Sequence, residues 1–241
     1  MPEMPEVETI KRQLVKKIIG KRLEGKKIVN VRRRAKILII DFSDGLSLIF
    51  HLKMTGQLVF NGKPSKHTCK IFKFSDGSQL MFNDVRKFGW WKTVKNAKKI
   101  EEQFGPEALN ISIKEFKALL KKRPNAKIKP LLMDQKLIAG IGNIYSDEIL
   151  FASKIRPLRQ AKTLVGKEIQ SILQNIKKIL KQAIEHQGSS VQHYVDSCGN
   201  KGDYVRYHKA YRQDKCSVCK TKIKKLKVNG RTASFCPNCQ K

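Results

Sequence analysis

Four cysteines near the C-terminus restrict the fold more than any other feature of the chain. Cys216 and Cys219 form one C-x2-C pair and Cys236 and Cys239 a second, with sixteen residues between them. That spacing lies in the range of tetrahedral zinc sites, and four thiolates fill the coordination shell. A filled shell has no position for water or substrate, so one structural Zn2+ is expected. Between the pairs, Lys222, Lys224, Lys225, Lys227 and Arg231 surround Asn229-Gly230, which predicts a basic β-hairpin turning at that Asn-Gly. A segment this short has too little core to fold without its metal. The other two cysteines, Cys69 and Cys198, stand apart. With no export signal in view, the set reads as a metal site in a reducing interior and not as disulfides.

The 241 residues carry 51 Lys and Arg against 20 Asp and Glu, a formal net charge of +31. Such an excess calls for a polyanionic partner, and nucleic acid is the expected one. No apolar run is long enough to span a bilayer, so no membrane association is expected. The reading is a cytoplasmic, nucleoid-associated monomer.

From Lys27 onward, short runs of Val, Ile, Leu and Phe follow one another. Residues 37–42, 46–52, 58–60, 70–74 and 80–82 are predicted strands, with turns at Asp44-Gly45, Asn61-Gly62 and Asp76-Gly77. Many short strands with little helix between them suggest a sandwich or partial barrel. Arg32-Arg33-Arg34-Ala35-Lys36 leads into the strand at Ile37 and reads either as a solvated edge or as a strand facing DNA. Lys53 is a second lysine that could serve as a nucleophile. Met54 and Phe88, the latter two residues after Arg86, have two readings. Both residue types usually pack in cores, yet a base flipped out of a duplex leaves a gap that apolar or planar side chains fill.

Phe104-Gly105-Pro106-Glu107 punctuates the chain, and Ser112 with Glu115 predicts a helix opened by a capping box. The run from Lys129 to Phe151 reads as a short helix, two Gly-bearing turns at Gly140 and Gly142, and a second helix from Asn143, which can cap it. Amides at such a helix start can hold a phosphate, although the motif serves equally for packing alone. Ile169, Ile172, Leu173, Ile176, Ile179, Leu180 and Ile184 mark the apolar face of a long core helix. Gln187-Gly188-Ser189-Ser190 ends the helical part, and residues 197–204 form a polar loop.

The N-terminus reads Met1-Pro2-Glu3-Met4-Pro5-Glu6-Val7-Glu8-Thr9. Pro5 suits the first turn of a helix, Val7, Ile10, Leu14 and Ile18 recur at helical spacing, and Gly20 stops the run. These residues are either a leader into that helix or something sharper. Removal of Met1 would leave Pro2 as a free secondary amine, titrating near ~7.7–8.0 and able to form an iminium with a sugar C1′. Glu3 and Glu6 would supply carboxyls for the proton transfers.

Taken in order, the Pro2-Glu3 start, the Arg-Ala-Lys segment at Lys36, Arg86-Lys87-Phe88-Gly89, the helix–two-turns–helix and the four-cysteine finger resemble bacterial formamidopyrimidine-DNA glycosylases along nearly the whole chain. The resemblance implies an α+β fold. A β-sandwich with an N-terminal helix would occupy 1–106, a helix–two-turns–helix domain with a lesion loop 107–212, and a zinc finger 213–241. It implies a bifunctional DNA glycosylase and AP lyase that removes oxidised purines from damaged double-stranded DNA and needs no redox cofactor or catalytic metal. By the same resemblance Pro2 is the nucleophile and Glu3 the proton donor, with Lys36 and Arg231 assisting elimination. Met54, Arg86 and Phe88 would fill the stack, while His67, Lys129 and Asn143 would contact the DNA backbone. Cys69 replaces a family histidine and inherits no role. The connection from Gly20 to Arg32 is shorter than is usual in the family. The alternatives are the oxidised-pyrimidine branch, endonuclease VIII, and a non-catalytic basic zinc protein that binds nucleic acid. Val7-Glu8-Thr9 and Arg86-Lys87-Phe88-Gly89 favour the purine branch.

Overall fold

The computed structural model describes residues 1–241, which divide into two compact units. The first comprises residues 1–103 and 183–205, the second residues 104–182 and 206–241. Residues 183–205 therefore return to the first unit and do not stay with the helical region, because they hydrogen-bond to its first helix and to a strand, as in Phe60 N–H to Ser197 O at 2.8 Å.

In the first unit, helix α1 spans Met4–Ile18. Pro5 sits in its first turn, where a missing N–H costs nothing. Glu6 closes the N-terminus by accepting the Glu3 N–H at 2.7 Å. Val7, Ile10, Leu14 and Ile18 are all buried on one face, as their spacing requires. The strands that follow are β1 Arg22–Leu23, β2 Lys26–Arg34, β3 Ile37–Phe42, β4 Ser47–His51, β5 Gly56–Phe60, β6 Thr68–Lys73, β7 Gln79–Asp84 and β8 Trp90–Val94, with a short helix α2 at Lys98–Glu101. They form a five-stranded sheet in the order β1-β2-β3-β4-β8 and a three-stranded sheet in the order β5-β7-β6, with every pairing antiparallel. Leu38, Ile40 and Phe50 of the first sheet, Leu58, Phe72 and Phe82 of the second and the apolar face of α1 share one buried cluster. Phe50 meets Phe72 edge-on across it, 5.4 Å between ring centres. This is a sandwich, and each such buried side chain contributes roughly 1.5–3 kcal/mol.

Two local readings change. Arg32–Arg34 does not lead into β3; it ends a strand of its own, β2, and Ala35-Lys36 is the hairpin turn, with Ala35 at φ +52°. Trp90–Val94 pairs with β4 as the edge strand β8, which no alternation in the sequence announced. The short Gly20–Arg32 connection is itself a hairpin: β1 turns at Glu24-Gly25 straight into β2.

In the second unit, α3 (Ile113–Lys122) opens with the expected capping box, the Glu115 N–H donating to Ser112 Oγ at 3.2 Å and the Ser112 N–H to Glu115 Oε2 at 2.8 Å. Helices α4 (Ile128–Met133) and α5 (Asn143–Ala152) flank the Gly-bearing turns, and Ile144–Phe151 is buried all round. Gly142, not Asn143, is the N-cap of α5, so Asn143 takes the first helical position. Helix α6 (Gly166–Glu185) buries Ile172, Leu173, Ile176, Ile179, Leu180 and Ile184. The C-terminal hairpin pairs β9 (Lys224–Val228) with β10 (Arg231–Phe235) around Asn229-Gly230, both at positive φ. No helix is long and apolar enough to cross a membrane.

Candidate active site and DNA-contacting residues

Two buried acids follow Pro2 at the start of α1. Pro2 is buried, Glu3 is 1% exposed and Glu6 is fully buried. Glu6 is fixed from two directions, Oε2 by the Glu3 N–H at 2.7 Å and Oε1 by the Ser189 N–H at 2.8 Å, 183 residues away in sequence. Gly188 makes that approach possible. Its φ of +86° is left-handed, and a Cβ there would lie 2.7 Å from Glu6 Oε1. Tyr194 adds a hydroxyl to the Glu6 carbonyl at 3.3 Å, and burial, with Glu6 and Asp196 nearby, raises its phenol pKa. Gln13 then fastens the polar loop to α1. Its Oε1 accepts from the Ser197 N–H at 2.9 Å and its Nε2 donates to Asp196 Oδ2 at 2.8 Å. The sequence showed Gly188-Ser189 only as a helix end; the partner that explains it is at the other end of the chain.

Lys36, 7% exposed, lies at the β2–β3 turn, braced by Arg33, which donates to Ala35 O at 2.8 Å and to Glu8 Oε2 at 3.0 Å. Burial would push the Glu8 carboxyl up, but Lys11, Arg33 and Arg12 outweigh it and hold the group below its usual range. His51 pairs with Ile37 across β3–β4, and its Nδ1 accepts the Lys53 N–H at 3.0 Å. Burial, then the charges of Lys53 and Lys36, depress its pKa to about 4, so the imidazole is neutral at pH 7. Met54 is half-buried, Arg86 is exposed and Phe88 is 54% exposed, with the guanidinium 4.6 Å over the Phe88 ring. The core reading of Phe88 is thus excluded. His67, half-buried, precedes β6.

In the second unit, Lys129 does not present its charge to solvent. It is 1% exposed, with Nζ 2.6 Å from Asp147 Oδ1 and 2.8 Å from Thr232 O, and so braces β10; a phosphate contact would need this ammonium to turn outward. Burial pushes the Asp147 carboxyl up, against the pull of Lys129 and the Ser234 N–H. Glu148, raised by burial, accepts the N–H groups of Lys209, Ala210 and Tyr211 at 2.8–3.0 Å. Gln135 shapes the turns, accepting from the Gly140 N–H at 2.9 Å and donating to Met133 O and Ile141 O. Asn143 Oδ1 is buried with no hydrogen-bond partner. Arg231 is exposed at the start of β10.

The sulfurs of Cys216, Cys219, Cys236 and Cys239 lie within 4.8 Å of one another, with Cys216–Cys239 at 3.9 Å and Cys219–Cys236 at 3.5 Å. Tetrahedral Zn–S bonds of ~2.3 Å require sulfurs about 3.8 Å apart, so the donor set fits Zn2+. The Cys239 N–H, 3.4 Å from Cys236 Sγ, supports thiolate character.

Three family models match in sequence order: formamidopyrimidine-DNA glycosylase N-terminal domain over residues 19–91, formamidopyrimidine-DNA glycosylase H2TH domain over 104–195, and zinc finger found in FPG and IleRS over 213–241. Formamidopyrimidine-DNA glycosylases of Pelotomaculum thermopropionicum and Listeria monocytogenes are each 39% identical over 275 aligned positions, covering all of this chain and 99% and 100% of the relatives. Among solved structures, the Lactococcus lactis Fpg bound to DNA with an abasic site superposes with a TM-score of 0.90 at 34% identity, covering 99% of both chains. A MutM complex with DNA carrying carbocyclic 8-oxo-G gives 0.90 at 36% identity, again over 99% of both. Fold and site together define a zinc-finger DNA glycosylase. The chain belongs to the formamidopyrimidine-DNA glycosylase family.

Proposed function

We propose that this chain is a bifunctional DNA glycosylase and AP lyase of base-excision repair, acting on 8-oxoguanine and formamidopyrimidines in duplex DNA at the bacterial nucleoid. The observation that carries the reading is the pair of buried carboxyls, Glu3 and Glu6, at the first turn of a helix that begins beside Pro2. While Met1 is attached, the Pro2 nitrogen is an amide with no lone pair to give. Once Met1 is removed it is a secondary amine. Its attack on C1′ forms a C–N bond as the damaged base departs with the C1′–N electron pair and takes up the amine's proton. Glu3 then protonates the sugar ring oxygen as the C1′–O4′ bond breaks onto it, which opens the ring to an iminium. The resulting iminium acidifies C2′–H, so loss of that proton expels the 3′-phosphate and a second elimination expels the 5′-phosphate. Lys36 and Arg231 assist the eliminations. Met54, Arg86 and Phe88 fill the vacated stack, and His67, Asn143 and the amides at the start of α5 hold phosphates. Zn2+ on Cys216, Cys219, Cys236 and Cys239 supplies the fold of the finger and no step of the reaction.

Borohydride reduces an iminium to a stable amine and so traps protein on abasic DNA. The wild-type protein, lacking Met1 by mass spectrometry, is expected to trap, and Pro2→Gly to trap at least ~100-fold more slowly. Undiminished trapping by Pro2→Gly would move the nucleophile elsewhere, with Lys53 the next candidate.

A further inference from the structure

Asp84, at the end of β7, is 1% exposed and lies beneath a run, Val85–Phe88, that is exposed throughout. Its Oδ1 accepts the Thr55 hydroxyl and the Arg86 N–H, the latter at 3.1 Å. Oδ2 accepts the Gly89 N–H at 2.6 Å. The Arg86 N–H is shared with Thr55 Oγ1, also at 3.1 Å. On the main chain, the Asp84 N–H donates to His67 O at 2.9 Å, and the β5–β7 ladder pairs Asp84 with Gly56. One buried residue thus ties together three stretches that are remote in sequence: the turn carrying Met54, the loop carrying Arg86 and Phe88, and the approach to β6 carrying His67.

The fit leaves little freedom. A Cβ on Gly89 would stand 2.9 Å from Asp84 Oδ2 and 2.6 Å from the Phe82 ring, so only glycine lets the chain close over the carboxylate. Lys87 is held at φ +56°, a left-handed conformation that a lysine seldom adopts unless neighbouring bonds impose it. Both ends of that turn, Arg86 and Gly89, donate to the same carboxylate.

We infer that Asp84, through Thr55, is a positioning residue that holds Met54, Arg86 and Phe88 as one preassembled wedge for the gap left by an everted nucleotide. This rests on the stack-filling role proposed for those three side chains. A gap in a duplex is short-lived, and a wedge whose parts are already in place fills it without first having to be ordered. The carboxylate itself touches no DNA.

The test compares two substrates: duplex DNA with one 8-oxoguanine, where a stack must be opened and filled, and a single-stranded oligonucleotide with an abasic site, where no partner stack exists. Thr55→Val keeps the side-chain shape and removes the bridging hydroxyl. It is expected to lower kcat on the duplex about tenfold or more with a smaller change in KM, while single-strand cleavage stays within about twofold. Thr55→Ser should restore the duplex rate. Asp84→Asn, which puts an amide against one of the N–H donors, should show the same split, and it serves as the deciding variant if Thr55→Val does not fold. Equal loss on both substrates, or no loss on the duplex, overturns the proposal. Met54→Ala and Phe88→Ala are run alongside. If neither lowers duplex excision, the stack-filling reading itself is wrong; if they do and Thr55→Val and Asp84→Asn do not, only the positioning role fails.

Discussion

Each unit buries a pair of acids, one at the start of α1 and the other midway along α5, and the pairs differ in what surrounds them. In the first unit Glu3 and Glu6 stand beside Pro2, and Glu6 reaches out to the Ser189 N–H from a distant segment. In the second, Asp147 and Glu148 of α5 are answered by the Lys129 ammonium and by four backbone N–H groups, those of Ser234 and of residues 209–211. Burial of carboxyls is common to both. What would separate the proposed reacting site from a brace is the neighbour: an amine that processing can uncover in one case, a buried ammonium paired with Asp147 in the other. The α5 acids fix Ser234, within the finger, and residues 209–211, ahead of it, and so belong to architecture.

The sharpest way to break this contrast is to remove the zinc. Structural Zn2+ contributes on the order of 10–16 kcal/mol of apparent binding energy to small four-ligand domains. Chelation is therefore expected to abolish amide protection from Cys216 to Gln240, measured by hydrogen exchange, and to leave the protection of α1 and β3 as it was. Retained protection in β9 and β10 without metal would mean that α5 alone holds the finger.

The ion pair within the brace gives the next effect. Lys129→Met leaves Asp147 buried without its ammonium, which should cost about 3–5 kcal/mol in urea unfolding of the second unit. Adding Asp147→Leu removes the stranded charge and should recover most of that loss, because a well-packed apolar pair often matches a buried ionic one. A loss of under ~1 kcal/mol in the single variant would show Lys129 to be free to turn outward, and would favour its reading as a phosphate ligand.

This also marks where sequence reasoning ran out. The finger was legible because its signal is local: four cysteines at fixed spacing and an Asn-Gly turn, all reproduced. Strand β3 was legible because an unbroken apolar run, Ile37 to Ile40, is buried along its whole length. Strand β2 was not, since its buried residues Ile28 and Val31 are three apart with Val29 exposed between them, across a register shift that breaks the alternation, and lysines and arginines flank them. The pairing of Lys129 was not legible, because the carboxylate it meets lies 18 residues on, in another helix. Gly188-Ser189 and Asp84 were invisible for the same reason: their partners are assembled only by the tertiary fold.

The smallest effect separates the units by the cause of a shift they share. His51 in the first and His208 in the second both have pKa values lowered to about 4. An unfolded chain takes up these protons near ~6.5. Between that pH and about 4 the unfolded state holds more protons than the native one, so stability falls as pH drops through this window and levels off below it. Each histidine can account for at most about 3 kcal/mol, and a glutamine at either position should flatten the corresponding acid limb. Salt distinguishes them. Burial is the cause at His208, whereas at His51 burial is joined by the charges of Lys53 and Lys36. Raising salt to 1 M shortens the screening length to about 3 Å. The His51 imidazole, followed by NMR titration, should therefore move back toward its ordinary pKa by a few tenths of a unit while His208 stays in place. If both move together, the lysines are not what distinguishes His51, and the charged surroundings assigned to the Lys36 turn are wrong.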